Sequence, residues 1–405
     1  MKALCVLIVL YLSSSTALLA GHLKLEDYIS SLKQSEFFYD YKTNKENSLK
    51  LRDSWIQPIN FLYNYSKSNP YNNTQTSKNT AISISQPIFE SGGIYYGIKY
   101  AGALKRYTNL SIDVQKRELI AQAVSLLIQI KQIQLQLKQQ KLNIDNAKIN
   151  LLQIKKQYMS GQVDSGSLDN AIIQKNSAMQ TYFNEQTSKA KLISQFKTIS
   201  DLNYNKAQIP TFKLITKKMF LNNNLLIDEQ NAQRIENMYH EKVIRSKYLP
   251  SVSFNAGYNW LTTDNQSFGR NITNSATTDY YNYGLTISMP IDYNAHRDIE
   301  ASKLAYLKSQ DLLIDQTRAS RAIFKQVVQN LQNYDKKIRL AKQSEKLYGT
   351  LLHQTIQLYR AGKKTIYDVD TLKNSLKIQS LNVKIFRLDK QLSLLNLYEQ
   401  LNNAV

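Results

Sequence analysis

The residues able to do chemistry are few and scattered. The histidines, His22, His240, His296 and His353, show no His-x-x-x-His spacing, and the single cysteine is Cys5. A helical metal site needs two ligands one turn apart, so this set offers neither zinc chemistry nor a paired thiolate. No glycine-rich phosphate loop follows a strand-like run. The expectation is a protein that is not an enzyme and carries no metal or cofactor. What recurs instead is a short turn: Tyr158-Met-Ser-Gly161 returns as Tyr359-Arg-Ala-Gly362, 201 residues on. The chain must hold these two turns somewhere, and the elements that do so also come twice.

The clearest element is Tyr281–Tyr293. Tyr283, Leu285, Ile287, Met289, Ile291 and Tyr293 alternate with Asn282, Gly284, Thr286, Ser288 and Asp292. Period-2 alternation predicts a strand with one apolar and one polar face, and about ten tilted residues cross a bilayer. From about Arg297 the pattern turns helical for some sixty residues. Upstream, Thr80–Phe89 matches Tyr283–Ile291 at an offset of 203, with Gln86-Pro87 beside Met289-Pro290. Two nearly equal offsets across long helices predict a tandem duplication of one large unit.

The chain has 405 residues and a formal charge of +21. Such a charge suits nucleic acid or an anionic surface. No nucleic-acid motif accompanies it, and lysines on exposed helical faces account for it. Met1–Ala20 has the form of a secretory leader: Lys2, an apolar run Ala3–Leu12, then small residues with cleavage expected after Ala17. Its apolar core is too short to span a bilayer as a helix. The expected mature chain, from Leu18, then has no thiol and no disulfide.

Taken in order, the pattern divides into a leader (residues 1–17) and an N-terminal helical piece (residues 18–49), helical over Leu23–Asn47. A first β-hairpin (residues 50–91) pairs Pro58–Ser66 with the strand at Thr80, around a polar loop Lys67–Asn79. A first helical hairpin (residues 92–202) runs from about Tyr95 to Met159, turns at Gly161–Ser167 and returns over Leu168–Leu202. Leu126, Ile130, Ile133, Leu137, Ile144, Ala147, Leu151, Ile154 and Tyr158 keep one heptad register, as in a coiled coil. At 1.5 Å per residue the outgoing helix is roughly 95 Å long and needs a partner along its whole stripe. Residues 203–247 comprise an irregular stretch, Asn203–Asn224, and a helix, Leu225–Lys247. A second β-hairpin (residues 248–296) has the strand Val252–Trp260 and a polar loop Leu261–Thr278. A second helical hairpin (residues 297–405) turns at Arg360–Thr365 and returns from Ile366 to about Leu401. In this reading Leu225–Lys247 continues the first returning helix, and Leu23–Asn47 continues the last.

Four strands cannot close a barrel, and hydrocarbon excludes open sheet edges, so the strands must be lent to a shared barrel. The polar faces of Val252–Trp260 and of the strand at Tyr283 predict a watery lumen. Tyr63, Tyr65, Tyr95, Tyr96, Tyr258, Trp260, Tyr280, Tyr281 and Tyr293 are expected near strand ends, where aromatic girdles belong.

Over residues 23 to 401 the chain resembles the TolC family of outer-membrane efflux proteins. The resemblance is carried by the junctions Ser85-Gln-Pro-Ile-Phe-Glu-Ser-Gly-Gly93 and Ser288-Met-Pro-Ile-Asp292, and by the turns with Ser167-Leu-Asp169 and Asp368-Val-Asp370. It implies a mainly α fold with a membrane β-barrel portion: two tandem repeats, each a β-hairpin plus a long coiled-coil helical hairpin. It further implies a homotrimer with a shared twelve-stranded barrel in outer-membrane lipid, an α-barrel in the periplasm, and an equatorial side domain. The implied partners are a periplasmic adaptor and an inner-membrane RND or ABC transporter. Such an assembly is the exit duct of a tripartite pump or a type I secretion system in a Gram-negative outer membrane.

The resemblance also implies roles at the turns. Ser160, Gly161, Ala361 and Gly362 fall where an adaptor docks. Tyr359, Lys364 and Asp368 match a tyrosine, a basic residue and an aspartate that close the family's periplasmic entrance. The family's acceptor aspartate on the first turn falls at Ser167 and a second constriction aspartate at Thr371, leaving Asp164 or Asp169 as replacement acceptors. Lysine for arginine also gives up bidentate geometry. The competing reading is a periplasmic adaptor or coiled-coil scaffold without a pore, which detergent-dependent extraction separates from a channel.

Overall fold

A computed structural model describes residues 24–69, 74–266 and 273–402. The expected leader lies outside these residues. Four strands, β1 (Asn60–Ser68), β2 (Thr74–Phe89), β3 (Ser251–Gln266) and β4 (Thr273–Ser288), form one antiparallel sheet in the order β1-β2-β3-β4. The register aligns Phe61, Ile82, Tyr258 and Tyr281 in one row, and Asn60, Ser83, Gly257 and Asn282 in a row on the opposite face. Leu62, which breaks the alternation, stands opposite the buried Ala81.

The strands are longer than their apolar stretches. Most of Lys67–Asn79 and of Leu261–Thr278, expected as loops, continues the ladder. Both faces are polar there, so the two-residue signal fades. Pairing itself depends on the backbone, and cross-strand contacts such as Thr262 Oγ1···Thr277 Oγ1 (3.1 Å) reinforce it. At its other end β4 stops at Ser288, short of the expected Tyr293. Pro290 has no N–H for a ladder, and the Asp292 carboxylate accepts from the Asn294 N–H (2.8 Å), turning the chain into a helix.

Two helices dominate: α2 (Gly93–Met159, 67 residues) and α6 (Ala295–Arg360, 66 residues). Five others are α1 (Ser31–Arg52), α3 (Ser165–Ile199), the short α4 (Lys217–Asn222), α5 (Leu225–Ser246) and α7 (Ile366–Tyr398). Ser91 (φ 47°) and Gly92 (φ 91°) swing the chain from β2 into α2. Along one flank of α2 lie α3 in the tip half and α1 in the half nearer the sheet. The second contact is polar: Tyr41 Oη donates to Asp113 Oδ1 (2.6 Å) and Asn44 Nδ2 to Asn109 Oδ1 (2.8 Å). On the other flank, α7 and α5 each touch both α2 and α6.

This arrangement corrects the expected continuation of the returning helices. The Ser30 N–H donates to the Ile199 carbonyl (2.8 Å), so α1 takes up where α3 ends. The Leu225 N–H donates to the Gln400 carbonyl (2.7 Å) and the Asn402 N–H to the Asn223 carbonyl (2.9 Å), so α5 takes up where α7 ends. The sheet dictates the exchange. Each strand is tied to one helix, β1 to α1, β2 to α2, β3 to α5 and β4 to α6, so the helices follow the strand order. With β1 at the edge, α1 falls on the outer flank of α2, the flank of α3.

The core sits part-way along the rod. Tyr28, Leu127, Ile128, Ile130, Phe196, Phe220 and Leu397 are buried in one cluster where α2, α3, α4 and α7 meet the segment 200–216. That segment is fastened by Tyr28 Oη to the Gln208 carbonyl (2.7 Å) and by the Phe212 N–H to Gln391 Oε1 (2.7 Å). Beyond Ile144 no residue of α2 is fully buried within the protomer. Phe220→Ala in this cluster is expected to cost about 3–5 kcal/mol, the usual range for deleting a buried aromatic ring. Thermal or urea denaturation measures it.

Candidate gate and docking tips

Both long helices end in the same motif. After Met159, Gly161 takes φ 74°; its N–H bonds the Tyr158 carbonyl (3.0 Å) and the Gln162 N–H bonds the Gln157 carbonyl (2.9 Å). After Arg360, Gly362 takes φ 72°, with Gly362 N–H to Tyr359 (2.9 Å) and Lys363 N–H to Leu358 (2.8 Å). These pairs make a Schellman cap, whose left-handed position favours glycine. No atom lies within 4 Å of a Cβ built at either glycine, so backbone conformation and not crowding selects the residue.

The returning helices begin with mirrored chemistry. At the first tip Asp164 is the N-cap, accepting from the Ser167 N–H (2.9 Å) and hydroxyl (2.7 Å). At the second tip Thr365 is the N-cap, and its N–H (2.9 Å) and hydroxyl (2.8 Å) both donate to Asp368. The carboxylate and the hydroxyl have exchanged places across a capping box. The serine hydrogen bonds hold the Asp164 carboxyl below its ordinary range, and the Thr365 backbone and hydroxyl bonds, with Lys364 nearby, do so for Asp368.

Of the residues singled out in the sequence, Tyr359 lies exposed in the last turn of α6, Lys364 lies in the exposed second turn, and Asp169 is exposed on α3. Ser160 and Ala361 are the C-caps; the Ser160 hydroxyl donates to the Gln157 carbonyl (3.0 Å). Within the protomer no hydrogen bond or ion pair among the described residues joins Tyr359, Lys364 or Asp368 to Asp164 or Asp169. Tyr359, Lys364, Asp164 and Asp169 are exposed, while Asp368 is half-buried in its capping box.

A different pair bridges the hairpins. Lys156 Nζ lies 3.4 Å from the Tyr367 hydroxyl and 5.1 Å from its ring centre, joining the end of α2 to the start of α7. Behind it runs a ladder of polar pairs along the same seam. Gln132 donates to Asp389 (2.7 Å), Gln139 to Asn382 (2.9 Å), and Asn374 to Asn146 (2.9 Å). Gln132, Gln139 and Asn146 stand seven apart, so a heptad spacing of amides was visible in the sequence. The identity of their partners was not. Polar pairs at such positions fix register between helices more than they add stability.

Among the described residues no group of three His, Cys, Asp or Glu is placed to hold a metal ion, and no helix is long and apolar enough to cross a membrane.

Comparison with known proteins gives a consistent result. Residues 218–403 match the family described as outer membrane efflux protein. No curated protein matches by sequence. The CmeC outer membrane channel of Campylobacter jejuni superimposes with a TM-score of 0.72 at 12% identity, over 93% of this chain and 84% of its own. The outer membrane protein VceC of Vibrio cholerae gives 0.69 at 13%, over 92% and 94%. The MtrE outer membrane channel of Neisseria gonorrhoeae, in its open state, gives 0.62 at 13%, over 93% and 87%. The chain shares the fold of these channels.

The base of the polar ladder is open to measurement. Burial holds the Asp389 carboxyl above its ordinary range, opposed by the Gln132 hydrogen bond and by Lys337. Gln132→Leu removes the donor and is expected to cost roughly 1–3 kcal/mol. A carboxyl whose folded pKa is raised favours the native state most when protonated, and that contribution is lost as pH rises through the folded value. The deficit of the variant should therefore be largest at neutral pH and shrink in mild acid, as read from denaturation midpoints at several pH values.

Proposed function

From the match of residues 218–403 to the outer membrane efflux protein family and the fold shared with outer membrane channels, we propose that three copies form the exit duct of a tripartite efflux pump or type I secretion system. The observation that carries this reading is the sheet. Strands β1 and β4 are paired on one side only, and their apolar face is bare: Phe61 is 70%, Tyr283 74% and Ile287 77% exposed. An apolar face of that kind seeks lipid, yet no open edge survives in hydrocarbon. Three copies joined edge to edge give a twelve-stranded barrel, with the row Asn60, Ser83, Gly257 and Asn282 toward water. A scaffold without a pore gives this sheet no role.

The same closure accounts for the helices. The outer flank of α1 and α3 bares Leu32 and Phe183, and the free side of α6 bares Leu340 and Leu347. Neighbouring copies cover these flanks and complete a periplasmic α-barrel. The barrel end of the protein then sits in the outer membrane of a Gram-negative bacterium and the tips reach toward the inner membrane. There Ser160, Gly161, Ala361 and Gly362 receive the adaptor, which links the duct to an RND or ABC transporter.

The tip groups form the gate in this assembly. Tyr359 and Lys364 donate to an acceptor on an adjacent first tip, Asp169 or the outer lone pairs of Asp164. Symmetry gathers the copies of Asp368 into a ring that attracts cations. The Lys156–Tyr367 bridge keeps the two hairpins of each protomer together while the gate is shut.

Mass measurement of the detergent-solubilised protein is expected to give three protomers; a stable folded monomer overturns the assembly. In planar bilayers the parent should conduct weakly, and Tyr359→Phe with Lys364→Ser should raise single-channel conductance several-fold. A parent that already conducts like the double variant would place the closure elsewhere.

A further inference from the structure

The register sorts the charged strand residues to one side of the sheet. Lys67, Lys78, Asp264 and Asp279 share the face of Tyr63, Trp260 and Tyr281, at its end away from the helices. Lys78 and Asp264 stand 3.9 Å apart and offset one another. Among the described strand residues the opposite face has no ionisable side chain other than the phenol of Tyr280. It is built mainly of Asn, Ser, Thr and small residues, in rows such as Asn60–Ser83–Gly257–Asn282, with Gln75 and the leucines Leu62 and Leu261 among them.

This face is also partly self-satisfied. Asn255 donates to Thr286 Oγ1 (2.8 Å) and Asn259 to Asn282 Oδ1 (3.3 Å). Gly257 makes room for the latter amide, since a Cβ there would stand 2.8 Å from Asn282 Oδ1. A water-lined surface tolerates charge, so desolvation does not force this neutrality. Nor does composition, in a chain of formal charge +21.

Resting on the reading of the sheet as one third of a shared barrel, we infer that the membrane-spanning part of the duct is an electrically neutral sieve. It passes anionic and cationic cargo alike and leaves charge discrimination to the helical part. The charges on the far face lie at headgroup level outside the bore. Their field reaches the lumen only across roughly a Debye length, about 8 Å at physiological salt.

Cys5 is the chain's one cysteine, so an introduced thiol can be followed against the parent as blank. The trimer carrying Asn282→Cys, or Asn64→Cys as an independent site on β1, is treated with two methanethiosulfonates, one bearing trimethylammonium and one sulfonate. A local potential of one kT per unit charge changes the ratio of the two rates roughly sevenfold. The expected ratio lies within about twofold of that for a free thiol and does not change with salt. Asn259→Asp beside Asn282→Cys should raise the cation preference several-fold, which shows that the assay senses charge. A parent-background ratio shifted sevenfold or more, and collapsing at high salt, overturns the neutral bore while leaving the duct intact. If both thiols are inert and Tyr283→Cys reacts instead, the polar face does not line water, and the duct reading falls with the inference.

Discussion

The structure depends on one constraint: a backbone N–H or C=O in hydrocarbon must find a partner. Strands β1 and β4 each leave one row of such groups unpaired within the protomer, beside side chains suited to lipid. The proposed closed ring of copies satisfies both at once. Closure fixes more than the membrane part. Because each strand is tied to a helix, the strand order becomes the helix order, and the rod inherits both its flanks and its broken second layer from the sheet.

Stability is distributed unevenly along that rod. The apolar cluster around Phe196, Phe220 and Leu127 anchors the middle, where the irregular segment meets Tyr28 and Leu401. Toward the tips, burial gives way to amide pairs, one lysine–tyrosine bridge and helix caps. Elements held by exposed polar contacts open locally at lower cost than a packed core. In the proposed duct, opening at the tips calls for the weakest cohesion there. The cap hydrogen bonds that start the two returning helices also hold the Asp164 and Asp368 carboxyls below their ordinary range.

The exchange of carboxylate and hydroxyl between the tips illustrates how little the local chemistry depends on residue order. Asp164 with Ser167 and Thr365 with Asp368 make the same bonds from opposite ends. Judged by position alone, the first tip lacks an aspartate at Ser167. Judged by contacts, it has one three residues earlier, already committed to a helix start. The acceptor left with most freedom on that tip is Asp169.

Local pattern was enough to read the strands, the long helices and the two tips. Alternation at Tyr283–Ile287, the heptads from Leu126 to Tyr158 and the glycines after Tyr158 and Tyr359 each depend on neighbours close in the chain. The same pattern failed where both faces are polar, as at Thr74–Asn79 and Thr273–Thr278, because a ladder there is held by backbone bonds that leave no periodic trace. It also failed for every pairing between distant segments. The joining of α3 to α1 and of α7 to α5, the partners of Gln132, Gln139 and Asn146, and the Lys156–Tyr367 bridge all follow from the flank on which each helix lies. That flank is set by the strand order, and strand order is a property of the assembled sheet, in which residues some 200 positions apart share a row.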